Sequence, residues 1–173
     1  MKYLIASDIH GSAFWCERLM ERIEAEQPDK VLILGDVLYH GPRNALPAGY
    51  DPKAVIAMLN PLASKIMAVR GNCEAEVDQM VLDFPCMADY AELMDENGRT
   101  LWLTHGHLWN PEKLPTLPAG SAFLYGHTHV KVLEETVDGI TVFNPGSGSI
   151  PKDGSHSFGI YENGRFRFEL LED

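Results

Sequence analysis

The stretch KYLIASDIHGS, residues 2–12, decides the fold. Its apolar run, Lys2–Ala6, reads as a strand, and it breaks off into a turn carrying Asp8, His10 and Gly11. Residues 13–25 then place Phe14, Leu19 and Ile23 near helical spacing among Glu17, Arg18, Glu21 and Arg22. Ser12 is suited to cap that helix and Pro28 to stop it. Residues 30–34 are again continuous and apolar, the pattern of a strand covered on both faces. Asp51-Pro52 starts a second helix over 51–63, which leads to a strand at 66–69. Strand, helix, strand, helix, strand argues for an α/β core with parallel strands.

The second half has another rhythm. Strands Tyr90–Met94 and Thr100–Thr104 flank Glu96-Asn97-Gly98, and hairpins are expected at Asp138-Gly139 and Asn163-Gly164. A chain that opens with βαβ units and closes with hairpins needs two mixed sheets, packed face to face with helices outside. No repeat or linker divides its 173 residues, of which 45% are hydrophobic, so the expectation is a single domain, 1–173.

A net charge of −11 argues against broad binding to nucleic acid, which depends on many cationic contacts. It leaves room for a small anionic substrate if metal ions supply the local positive charge. The N-terminal apolar run is too short for a secretory signal or a membrane span. The three cysteines, Cys16, Cys73 and Cys86, form no CxxC pair, which suits reduced thiols in the cytoplasm.

The chemistry lies at the strand ends. Asp8 and His10 follow the first strand, Asp36 the second and Asn72 the third. His105 and His107 follow Thr100–Thr104, and His127 and His129 follow the strand at 122–125. Ligands of open α/β sheets bind at the carboxyl ends of strands, so groups spread along the chain can converge. Asp8 and His10 are two apart, as are His127 and His129, and in an extended segment each pair would face one side. Taken singly, an Asp after a strand is usually a capping residue and an Asn after glycine a turn former. Five strand ends bearing Asp, Asn or His together point to a metal centre.

The donor types restrict the metal. Without a thiolate cluster a structural zinc site is not indicated. Carboxylates, an amide oxygen and imidazoles suit Mn²⁺, Fe²⁺ or Zn²⁺. Seven candidates, Asp8, His10, Asp36, Asn72, His105, His127 and His129, exceed what one open site needs, and two ions about 3.5–4 Å apart would use them. Beside them, Tyr39-His40-Gly41-Pro42-Arg43-Asn44 could overhang the site, with His40 and Arg43 as candidate substrate contacts, while Asn144-Pro145-Gly146-Ser147 reads as a structural turn nearby.

Read in order, Asp8-Ile9-His10, Gly35-Asp36, Gly71-Asn72-Cys73-Glu74, His105-Gly106-His107 and Gly126-His127-Thr128-His129 resemble the signature of the calcineurin-like metallophosphoesterases. The short chain, the Cys73 variant and Phe143-Asn144-Pro145-Gly146-Ser147 are most similar to the small bacterial YfcE-type phosphodiesterases. The resemblance implies a four-layer α/β/β/α sandwich and a divalent-metal-dependent phosphodiesterase. It implies two ions, Mn²⁺ first with Fe, Zn, Ni or Co as alternatives, and hydroxide generated between them as nucleophile. It places Asp8, His10, Asp36 and His129 on one ion and Asp36, Asn72, His105 and His127 on the other, with Asp36 bridging. The catalytic set it implies is Asp36, Asn72, His107 and Cys73. His107 has no settled part: it could orient a ligand, touch substrate or cap a turn.

One position departs from the pattern. Much of the superfamily has histidine in place of Cys73, and that histidine is thought to help protonate the leaving group. A thiol is a weak donor with a reference pKa of about 8.5, and a small, partly buried apolar residue is the favoured reading. Two rival functions stand beside the enzyme: a protein-interaction scaffold with this fold and little turnover, as in the retromer subunit that resembles it, and a nuclease. The expected partner is a small-molecule phosphodiester rather than a membrane or nucleic acid; a homo-oligomer is left open.

Overall fold

A computed structural model describes residues 1–172. The elements run β1 (Lys2–Ala6), α1 (Ala13–Glu26), β2 (Lys30–Ile33), α2 (Pro52–Leu59), β3 (Ile66–Ala68), α3 (Glu76–Val81), β4 (Tyr90–Met94) and β5 (Thr100–Thr104). They continue with β6 (Ala122–Leu124), β7 (Lys131–Glu135), β8 (Thr141–Pro145), β9 (Ser157–Glu162) and β10 (Arg165–Leu170). Two five-stranded mixed sheets result, ordered β10-β9-β1-β2-β3 and β4-β5-β6-β8-β7. In the first, β1, β2 and β3 are parallel, with Tyr3 opposite Lys30 and Ile33 opposite Ala68, and β9 and β10 add an antiparallel edge. In the second, β5, β6 and β8 are parallel. All three expected hairpins form: β4–β5, β7–β8 and β9–β10.

Alternation along β1 and β2 explains why both read as unbroken apolar runs. Leu4, Ala6, Val31 and Ile33 point to one face, where α1 buries Trp15, Cys16, Leu19 and Ile23 and α2 buries Val55 and Leu59. Tyr3, Ile5, Leu32 and Leu34 point to the other, against Leu101, Leu103, Leu124 and Phe143 of the second sheet. Each Val, Leu, Ile or Phe among these contributes about 1.5–3 kcal/mol on full burial. The far face of the second sheet, Trp102, Phe123, Tyr125 and Val142, is covered by Trp109, Leu114 and Leu117 of the irregular segment 105–121. Among the described residues no helix forms in that segment.

Local chemistry sets the boundaries. Ser12 Oγ accepts from the Trp15 amide to cap α1, and Gln27 (φ 46°) ends it in the left-handed region, one residue before Pro28. Asp51 caps α2 through the Ala54 amide. The helix expected over 51–63 stops at Leu59 and tightens into a 3-10 turn at Asn60–Leu62, because Pro61 cannot donate to the α-helical ladder. The short α3 has no counterpart in the sequence reading.

Candidate active site

The carboxyl ends of the two parallel strand sets meet, and the turns that follow are stitched together by their backbones. The Asp8, His10 and Gly11 amides donate to the carbonyls of Gly35, Asp36 and Val37 at 3.1, 2.9 and 2.8 Å. The His127 amide crosses from the other sheet to Asp8 Oδ2 at 3.0 Å. All seven candidate ligands gather there, but the paired residues converge for a different reason than alternation along an extended segment. Asp8, His10, His127 and His129 have φ of 55°, 49°, 67° and 59°, and Asp36 has φ of 55°. Left-handed backbone at non-glycine residues costs about 1–2 kcal/mol each, and Asp and His tolerate it better than most. Strain of this kind collects at functional sites.

Close approach demands glycine beside these turns. A Cβ on Gly71 would lie 2.6 Å from the Asp36 nitrogen, and one on Gly126 would lie 2.8 Å from Asp8 Oδ2. The next shell is hydroxyl and amide: Ser147 and Ser149 hydroxyls donate to the Asp8 carbonyl at 2.8 and 3.0 Å. Asn144 Nδ2 donates to the Gly126 carbonyl at 2.8 Å, so residues 144–147, expected as a turn, instead end β8 and brace the site from behind.

Each buried carboxylate has one oxygen tied and one free. Asp8 Oδ2 accepts from Ser7 Oγ (2.6 Å) and the His127 amide, whereas Oδ1 has no hydrogen-bond partner and faces His129 Nε2 at 3.1 Å and His10 Nε2 at 3.5 Å. Asp36 Oδ1 accepts from the Cys73 amide at 2.9 Å, and Oδ2 faces His105 Nε2 at 3.4 Å and His10 Nε2 at 3.7 Å. Asp36 Oδ2 therefore stands between the His10 and His105 imidazoles. Asn72 Oδ1 lies 3.0 Å from His105 Nε2, and His127 Nδ1 lies 3.2 Å from the same nitrogen.

The histidine tautomers are fixed from outside. Nδ1–H of His10, His105 and His129 donates to the carbonyls of Tyr39 (2.7 Å), Leu34 (2.7 Å) and Ile150 (2.5 Å). A carbonyl only accepts, so each neutral ring turns its Nε2 lone pair inward. His10 Nε2 and His129 Nε2 meet at 3.3 Å. Lone pairs and carboxylate oxygens crowding one volume make a candidate cation site, and the donor types fit divalent transition metals.

The electrostatics agree. Burial opposes charge on Asp8, but the imidazoles of His10, His105 and His129 around it hold its carboxyl well below the usual range. Burial likewise opposes charge on His105, yet its bond to Asp36 and the charges of Asp8 and Asp36 bring its imidazole up to about 9. His107 and His127 are pushed down, first by burial and then by the His105 charge.

A cavity of about 620 Å³ opens on this cluster and is lined by His10, Asp36, Asn72, Cys73, His127 and His129. Residues 41–44, Thr128 and Lys152 complete its wall. Arg43 lies on it as expected. His40 does not: its Nδ1 bonds the Asn44 carbonyl at 3.3 Å and its ring packs on Tyr39 and Tyr50, so it braces the loop. His107 is also off the wall, with its ring 5.4 Å from that of His105 and a buried Nδ1 lacking a partner. Cys73 is half-buried on the wall, and burial with the Asp36 carboxylate pushes its thiol up, so it stays protonated. A cleft of equal volume between α1 and β10 holds none of these ligands and is lined by ion-paired Arg22 and Glu169.

Sequence reading passed over Glu74, although it stands in the motif. Its carboxylate accepts from the Asp36, Val37 and Gly71 amides at 2.9, 2.7 and 2.5 Å, clamping two ligand-bearing turns together. Burial and the neighbouring Asp36 charge raise its pKa. Glu74→Gln puts an NH₂ against amide donors, so a loss of about 1–3 kcal/mol in urea unfolding is expected. Isothermal titration should also show metal affinity down about 10–100-fold. Unchanged unfolding and affinity would show that the clamp contributes nothing.

Comparison with known proteins accords with this geometry. The sequence model described as the calcineurin-like phosphoesterase superfamily domain matches residues 1–164. Phosphodiesterase YfcE of Escherichia coli strain K12 is 51% identical over 174 aligned residues, covering 100% of this chain and 94% of the relative. The solved structure of Yfce, described as a phosphoesterase from E. coli, superposes with a TM-score of 0.92 at 45% identity, over 99% of this chain and 100% of that one. Vps29 of Chaetomium thermophilum shares the fold, with a TM-score of 0.65 at 13% identity over 99% of this chain and 100% of that one. Five ordered motifs, two mixed sheets and a cation-shaped cluster where their strand ends meet have one common source: the chain belongs to the calcineurin-like phosphoesterase superfamily.

Proposed function

We propose that this protein is a phosphodiesterase that works with two divalent cations, Mn²⁺ foremost. The observation that carries the reading is the inward lone-pair cluster, divided into two halves by Asp36 Oδ2. Asp8, His10 and His129 would hold one ion, and Asn72, His105 and His127 the other, with Asp36 shared. Bound cations supply Lewis acidity that activates water near neutral pH and neutralises phosphoryl charge. The chain's part is to aim the donors: Leu34, Tyr39 and Ile150 carbonyls fix the imidazoles, and Cys73 and Ser7 hold the spare carboxylate oxygens.

A diester preference is supported by the cavity. At about 620 Å³ it falls in the range of drug-sized ligand pockets, about 300–1,000 Å³, with room for substituents on both ester oxygens. The site draws on both sheets, which supports reading 1–173 as one domain. No described helix is long and apolar enough to cross a membrane, in keeping with a cytoplasmic placement.

Chelator-stripped protein is expected to lose turnover of bis(p-nitrophenyl) phosphate. Metals restored singly should rescue it in the order Mn²⁺ before Mg²⁺, since imidazole suits Mn²⁺ better. Equal turnover with and without metal would exclude the mechanism. Metal binding without turnover of any diester would favour the scaffold reading.

A further inference from the structure

The cationic side chains on the cavity wall are Arg43, on the loop that reaches His10, and Lys152, on the segment that reaches His129. Arg43 lies on the loop whose Tyr39 carbonyl receives His10 Nδ1–H. The Lys152 amide donates to the His129 carbonyl at 2.9 Å. The two imidazoles meet at 3.3 Å, and the 41–44 loop also stands over Cys73. Among the described residues no other lysine or arginine lines the cavity.

Neither cation is spent internally. Among the described residues Arg43 and Lys152 enter no ion pair, and Asp153, beside Lys152, is taken by Lys131 at 2.8 Å. In a chain of net charge −11, two cations free of ion pairs on the cavity wall make that wall locally favourable to an anion. The wall's other character is polar. Apart from imidazoles it carries no aromatic ring, and so offers no stacking platform for a nucleobase.

Building on the phosphodiesterase reading, we propose that the substrate is a phosphodiester of a polar, non-nucleobase alcohol bearing a second anionic group, bound by Arg43 and Lys152 beside the His10–His129 half-site. A guanidinium fork suits a terminal phosphate or carboxylate, and the lysine adds a point charge.

The test uses two diesters with one p-nitrophenyl leaving group and differing in the other substituent, 2-hydroxyethyl or 2-(phosphonooxy)ethyl. Wild-type protein, Arg43→Ala, Lys152→Ala, Lys152→Glu and the double alanine variant are compared under saturating Mn²⁺. In the wild type, kcat/KM for the phosphorylated diester should exceed that for the neutral one about 10–100-fold, the worth of one or two charge-assisted contacts. The ratio should fall about tenfold in either alanine variant, approach one in the double variant, drop below one in Lys152→Glu, and shrink with added salt. A wild-type ratio near one, with the neutral diester turned over, overturns the anionic subsite and leaves the phosphodiesterase reading standing. A high ratio unchanged in all four variants overturns the assignment to Arg43 and Lys152. No turnover of either diester overturns both readings together.

Discussion

Asp36→Asn is expected to bring diester turnover down beyond the ~10²–10³-fold that loss of one electrostatic stabiliser costs, because both proposed ions would share Asp36. The structural basis is the division of labour between its oxygens. Oδ1 is committed to the Cys73 amide at 2.9 Å, and Oδ2 is the atom that faces His105 and His10. Asparagine keeps the first contact through its own Oδ1. It then turns an NH₂ toward Nε2 lone pairs, filling with protons the volume that a cation would take. Metal content measured by mass spectrometry should fall, while circular dichroism shows the fold retained, because Asp36 helps form the site and not the core between the sheets. Near wild-type turnover with two ions per chain would rule out a bridging role for Asp36.

How much of this was legible beforehand depends on what the signal was made of. The apolar run at 2–6 announced a strand and the run at 30–34 a strand buried on both faces, and Asp-Gly and Asn-Gly turns announced hairpins, because both are local chemistry. The gathering of the candidate ligands was legible because each lies in the turn after a strand. The left-handed backbone at Asp8, His10, Asp36, His127 and His129 was not, since it is imposed by cross-strand amide pairing that no single segment encodes. Glu74 went unread for a like reason: its three acceptor bonds join turns 38 residues apart in sequence. His40 drew notice as a histidine near the site, yet its aromatic neighbours and the Asn44 carbonyl claim it. Chemical type nominates candidates. Only packing separates a residue that faces the cavity from one that supports its wall.

Aryl diesters should be cleaved far faster than alkyl diesters, with kcat falling steeply as the leaving-group pKa rises. General acid catalysis contributes about 10²–10⁴-fold, and the wall position where a donor is wanted holds Cys73, whose thiol is weak as a donor and is held protonated by burial and by Asp36. Charge building on the leaving oxygen is then left unrelieved by the chain, and the steepness of the series reads that deficit directly. Cys73→His supplies a donor with a reference pKa of about 6.5, and should flatten the series by raising alkyl rates more than aryl rates. The larger ring needs space: a Cβ on Gly41 would stand 3.3 Å from Cys73 Sγ, so the loop over residues 41–44 has to give way. Both proteins should therefore be compared metal-loaded, with melting curves in hand. A flat wild-type series would mean that another group already protonates the leaving oxygen. A steep series unchanged in a folded, metal-loaded Cys73→His protein would mean that position 73 does not reach that oxygen.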